Sequence, residues 1–205
     1  PLAAVLRAQA DVFTSRTARC GALWEYVRLA PQVGEDEALD ALSRIAAQDP
    51  GDGAALDGIL RLSAMVRAET PEAQPTMRAP ALLLTALAAR KELAQEAVGR
   101  ALLEVERCLL LERVGAVDPS VIPTALAGYR AALALWPQSL LAARGLERLA
   151  THTGDRASLL ESQLALATLV DRAEDRAACY VRAAEIVLAL ATAEAEAGAV
   201  DLHEK

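Results

Sequence analysis

Asparagine does not occur in this sequence, lysine stands only at positions 91 and 205, and the aromatic residues are one Phe, two Trp and three Tyr. β-Branched residues are also sparse beside Ala, Leu, Arg and Glu, and no stretch alternates apolar and polar positions. A half-buried strand is thereby excluded, and a core without large rings must be closed by near approach of Ala/Leu-rich helices. The three cysteines, Cys20, Cys108 and Cys179, are odd in number and far apart, with no CxxC or Cys/His pairing. That pattern fits buried free thiols in a reducing, cytoplasmic compartment. The longest apolar run, 79–89, is interrupted by Pro80 and Thr85 and ends at Arg90. It is too short to span a bilayer, and no basic-then-apolar leader opens the chain. The first residue is Pro1, which suggests a piece cut from a longer protein.

Catalytic groups are equally scarce. The only histidines are His152 and His203, and no Ser/His/Asp order, HExxH, Walker loop or GxGxxG is present. The acidic run Glu35-Asp36-Glu37 with Asp40 lacks the ligand spacing and loop glycine of an EF-hand. It reads as a solvated helix start complementing the macrodipole. The turn 49–53 (Asp-Pro-Gly-Asp-Gly) likewise reads as an inter-helix turn and not a metal loop. No enzyme, cofactor or metal site is expected. The net charge of −7 argues against nucleic-acid binding, which needs a basic surface to replace counterions.

What is present is helix. The 205 residues are 54% hydrophobic and 24% charged, enough for one large or two small domains. Turn and cap signals divide them into about ten helices. The second helix is expected to stop at Pro31, and Asp52 and Ser139 are expected to cap the helices that follow them. A break is expected near 90–92, Gly154 should end a helix, and the last helix should run towards Gly198. Pro71 and Pro75 mark 70–76 as a hinge.

An internal repeat supports this division. Aligning Pro50 with Pro137, an offset of 87, pairs Ala38 with Ala125, Leu39 with Leu126 and Ala55 with Ala142. The same offset pairs Gly58 with Gly145, Arg61 with Arg148 and Leu62 with Leu149. Within the second copy, Ala125-x3-Tyr129-x2-Ala132-x4-Pro137 resembles the second helix of a tetratricopeptide repeat, in which small residues flank an aromatic and a proline ends the unit. Ala38-x3-Leu42-x2-Ile45-x4-Pro50 is a weaker copy. The family's period of ~34 residues carries Pro137 to Asp171 and Pro50 back to Arg16, both in expected turns. The period fails between Met65 and Pro123, and the loop 115–124 is longer than the family norm. The Ala/Arg-rich style is similar to that of scaffold proteins of myxobacteria and related soil bacteria.

The resemblance implies an all-α fold, a right-handed α-solenoid of antiparallel helical hairpins. Its expected parts are an N-terminal segment, 1–70, a hinge at 71–80 and a C-terminal segment, 81–205, in one continuous solenoid. It also implies a function, that of a scaffold segment holding a protein or acidic peptide on a concave groove. The groove places of the first helices fall on Leu141, Arg144, Arg148, Thr151 and His152, on Asp57, Arg61 and Met65, and on Arg182 and Glu185. An arginine thus recurs at the ninth place of three helices: Arg61, Arg148 and Arg182. Arg144, Arg148 and His152 are spaced to form one stripe. Such arginines would grip carboxylates bidentately, and Arg148→Glu would then weaken capture without lowering stability. The alternative is a solvated face whose arginines pair with local Glu and Asp. Other readings are a solenoid spacer or self-associating module of a larger bacterial motility, polarity or envelope protein, and a helical enzyme or small-molecule sensor. Trp24, Tyr26, Trp136, Phe13 and Tyr180 are expected to pack between hairpins.

Overall fold

The computed structural model of the chain describes residues 1–64 and 80–203, without the side chains of 30, 64 and 193–203. The expected hinge at 70–76, most of the 71–80 segment and the groove place at Met65 therefore lie outside the described residues. Everything described is helix or turn, with no strand, so the fold is all-α.

The helices are α1 (Leu2–Val12), α2 (Arg16–Arg28), α3 (Ala30–Val33), α4 (Glu35–Gln48), α5 (Gly53–Ala64) and α6 (Pro80–Leu93). After them come α7 (Ala97–Gly115), α8 (Ile122–Leu135), α9 (Leu140–Thr153), α10 (Arg156–Leu169) and α11 (Ala173–His203), with a 3-10 turn (Pro119–Val121) ahead of α8. They form two compact units, Pro1–Gln95 and Glu96–Lys205. In each, a helix packs chiefly on its neighbours in chain order: α1 on α2, α2 on α4, α4 on α5 and α5 on α6, then α7 on α8, α8 on α9, α9 on α10 and α10 on α11. The first unit's core gathers Leu23, Tyr26, Leu42, Ile45, Leu56, Ile59 and Ala86, all buried. Since α6 contributes Ala86 to that core, residues 81–93 belong with the first unit and not with the segment that follows.

Local chemistry sets the boundaries. Asp52 caps α5 by accepting from the Ala55 N–H at 3.0 Å, and Ser139 caps α9 by accepting from Ala142 N–H at 3.3 Å. Asp155 caps α10 through Ser158 N–H, and Gly154 ends α9 in the left-handed region at φ 72°. Two boundaries differ from the sequence reading. Pro31 does not simply stop a helix. The chain leaves α2 at Arg28 and makes the short helix α3 around Pro31, whose missing N–H costs nothing in a first turn. The break expected near 90–92 falls at 94–96, because Arg90 and Lys91 remain in the last turn of α6, where basic side chains suit the helix dipole.

The offset of 87 is structural. The hairpins α4–α5 and α8–α9 start at matched positions, 35 with 122 and 53 with 140. Their turns close with matched bonds: Asp49 N–H to Ile45 C=O and Trp136 N–H to Ala132 C=O, then Asp52 N–H to Asp49 C=O and Ser139 N–H to Trp136 C=O. Even the turn dihedrals agree, with φ −133°, ψ 84° at Asp49 and φ −142°, ψ 88° at Trp136. Buried positions also correspond, with Ala38, Leu42 and Ile45 in one hairpin and Ala125, Tyr129 and Ala132 in the other.

Candidate functional site

The second unit holds the better-formed surface, and it is organised by Tyr129. The ring is fully buried, and a Cβ added at Gly145 would lie 2.4 Å from it. The glycine of α9 is thus what admits the tyrosine of α8. The hydroxyl of Tyr129 donates to Glu112 on α7, and Arg148 on α9 donates to the same carboxylate from Nε at 3.0 Å and from Nη2 at 2.7 Å. Burial and the bond to Glu112 raise the Tyr129 pKa well above its ordinary value. The bonds to Glu112 raise that of Arg148, against the opposing effect of burial. One carboxylate therefore ties α7, α8 and α9 together.

Beside this triad is a cleft of about 680 Å³. Its walls are the end of α7 (Glu112, Gly115, Ala116), Pro119 with Ile122 and Pro123, and the end of α9 (Arg148, Leu149, His152, Thr153). The loop that exceeds the repeat norm builds one wall. Asp118 accepts from the Ser120 N–H and hydroxyl, which fixes the 3-10 turn and lowers the Asp118 pKa. A smaller depression of about 230 Å³ lies among α9, α10 and α11, lined by Glu147, Thr151, Leu159, Gln163, Arg182, Glu185 and Ile186. There Glu147 accepts from Arg144 at 2.8 Å and from Gln163 at 2.8 Å, with Arg182 at 3.8 Å. Burial pushes the Glu147 pKa up, but the bonds from Arg144 and Gln163 and the charge of Arg182 outweigh it and hold the carboxyl below its ordinary value.

The expected groove residues divide accordingly. Arg148 and His152 line the larger cleft; Arg182 and Glu185 line the smaller one; Arg144 is tied to it through Glu147. Asp57 and Arg61 lie in the first unit, both exposed, and Asp57 pairs with Arg90 of α6 at 2.9 Å. Arg61, Arg148 and Arg182 share exposure as well as register. Arg148→Glu would set a second carboxylate against Glu112 and remove three hydrogen bonds, so it should lower stability as well as capture. The partners of the arginines, Glu112 and Glu147, went unread in sequence. Glu147 has a signal, three residues after Arg144 on one helix, whereas Glu112 is 36 residues from Arg148 on another element.

The aromatic residues also divide. Trp24 donates to Asp52 at 3.2 Å, and Tyr26 donates to Glu37, so both join neighbouring elements. Tyr180, expected to be packed, is 50% exposed on α11. Cys20, Cys108 and Cys179 form no disulfide with one another, and the last two are buried. Among the described residues no cluster of three or more His, Cys, Asp or Glu is arranged to hold a metal ion, and no helix is long and apolar enough to cross a membrane. No protein-family model matches this chain, and no curated protein or solved structure shows a significant match to it.

Proposed function

We propose that this chain is a protein-interaction segment, built as a degenerate tetratricopeptide-like solenoid, that binds a peptide or protein partner on its α9 face. The observation that carries the reading is the 680 Å³ cleft, lined by the apolar Pro119, Ile122, Pro123 and Leu149 together with the polar Glu112, Arg148 and His152. Arg148 is braced there. Glu112 holds its Nε and Nη2 while the side chain stays 54% exposed, which leaves the guanidinium both fixed and accessible. A braced guanidinium gives up little conformational entropy when it donates to a partner's carbonyl or carboxylate. His152 extends the polar edge by one helical turn. Acidic or carbonyl-rich segments suit the exposed edges of Arg144, Arg148 and Arg182, and Pro119, Ile122 and Leu149 suit an apolar anchor beside them. Binding is favoured over catalysis because the polar groups of Tyr129, Glu112 and Arg148 are consumed in joining three helices.

A substitution that plugs the cleft from an exposed position tests this without touching the triad. Ala116 is exposed on the rim. Affinity capture with wild type, Ala116→Arg and His152→Glu should return partners for the wild type that both variants lose by about tenfold or more, at unchanged helical content. Identical partner lists for all three would overturn the reading and favour a spacer.

A further inference from the structure

Among the described residues, helix α11 leaves an apolar face uncovered. Each of α8, α9 and α10 packs on a helix before it and a helix after it, whereas α11 has α10 as its main neighbour. Its inner side carries the buried Cys179 and Ala183, and Arg182 and Ile186 look towards the small depression against α9 and α10. Its outer side exposes Tyr180 at 50%, Val181 at 57%, Val187 at 50% and Leu188 at 67%. Ala177, Ala184 and Ala191 are exposed on the same side. At 3.6 residues per turn, all seven positions fall within about 60° of Ala184 around the helix, nearly opposite Arg182. The band continues along about 21 Å of helix axis.

The order of residues in that band is symmetric. Ala184 is the centre; Val181 and Val187 stand three residues to either side; Tyr180 and Leu188 stand four to either side; Ala177 and Ala191 stand seven to either side. A reversed copy of the band is therefore nearly the same surface. This is the condition for an isologous interface, in which one patch meets itself across a two-fold axis.

We infer that α11 is a homodimerisation helix, pairing antiparallel with α11 of a second copy about an axis through Ala184. In that arrangement Ala184 meets its own counterpart and lets the helix axes approach to about 8–10 Å. Val181 then faces Val187 of the second copy, Tyr180 faces Leu188, and Ala177 faces Ala191. Each large side chain meets an apolar partner and each small one closes the gap. The antiparallel sense also sets the N-terminal half of each helix beside the C-terminal half of the other, so the macrodipoles offset one another; a parallel pair would align them. The helix is long enough for this role, at 31 residues against 14 for each of α8, α9 and α10. The face is separate from both clefts, so self-association and partner binding stand or fall independently.

Sedimentation equilibrium of the chain from micromolar to hundreds of micromolar should give a reversible monomer–dimer mass. Leu188→Glu and Tyr180→Glu, both at exposed positions, should weaken dimerisation by about tenfold or more with unchanged circular dichroism, since each change enters the interface twice. In a Cys20→Ser background, Ala184→Cys should form a disulfide-linked dimer under mild oxidation. Ala178→Cys, exposed on another side of the same helix, should not. The inference is overturned by a monomeric mass over the whole range, by a dimer that survives Leu188→Glu, or by Ala178→Cys linking as fast as Ala184→Cys. Should either glutamate variant lose its helical signal, the two cysteine variants decide.

Discussion

Glu147 shows how a single side chain organises the α9 face. It accepts from Arg144 one turn back on its own helix and from Gln163 on α10, and Arg182 of α11 stands near. Two of the three expected arginine places in this unit thus converge on one carboxylate, while the third, Arg148, is held by Glu112. The Glu147 pKa is depressed in the folded chain, so its contribution to stability is fully present above the carboxyl's unfolded value of about 4.3 and is lost as pH falls through the lower folded value. Glu147→Gln should therefore lower stability at neutral pH and flatten the loss of stability below about pH 4. Denaturant titrations at pH 7 and pH 3 check this: an equal deficit for the variant at both pH values would show that Glu147 contributes no linked ionisation. The alternation of Arg and Glu was legible only where both sit on one helix. A contact across elements has no spacing signature, which is why Arg148 was readable as a register position and Glu112 was not readable as its partner.

The hairpin is the element that repeats, and its legibility came from residues whose physics is local. Pro50 and Pro137, the caps Asp52 and Ser139, and the glycines at 58 and 145 act within a few residues or across one adjacent helix, so they recur in register. The two copies differ in how the glycine is used. A Cβ at Gly58 would come within 2.9 Å of a Leu42 methyl, the flexible end of an aliphatic chain; at Gly145 it would come within 2.4 Å of the Tyr129 ring, which Glu112 holds in place. Gly145→Ala should cost about 1–3 kcal/mol through overpacking. Gly58→Ala should be near neutral, since a small shift of Leu42 is offset by the roughly 1 kcal/mol that alanine gains over glycine inside a helix. Combining Tyr129→Leu with Gly145→Ala recreates the leucine–alanine pairing of the Gly58→Ala variant and should recover part of the loss. Equilibrium urea unfolding of the three variants against the wild type measures this, and equal stabilities for Gly58→Ala and Gly145→Ala would mean that the Tyr129 ring yields to the added methyl as readily as Leu42 does. Where the elements are irregular, local signals were weaker: the 3-10 turn at Pro119–Val121 was visible only as an over-long loop, and its role as a cleft wall depends on α9 lying opposite.

At the scale of the whole chain, sequence and structure divide the molecule at different places. Pro71 and Pro75 suggest a hinge because proline interrupts helix locally, whereas the compact units part between Gln95 and Glu96. The difference lies in α6. Its Leu83, Ala86 and Leu87 are buried, Ala86 belongs to the first core, and Arg90 reaches back to Asp57 on α5, 33 residues earlier. Such long-range contacts decide unit membership and leave no mark in the linear pattern. The second unit in turn has its own interior, with Tyr129, Leu146 and Leu166 fully buried and three helices tied at Glu112. A chain segment with its own core can fold alone. Residues 96–205, expressed separately, should therefore be helical by circular dichroism and melt in one cooperative transition. Tyr129→Phe, which removes one of the bonds to Glu112, should lower its stability by about 1–2 kcal/mol, and by a similar amount in the full chain. A fragment that melts without cooperativity would mean that the first unit is needed to complete the second. The α9 clefts and the α11 face would then have to be treated as properties of the whole chain, and no longer of this unit.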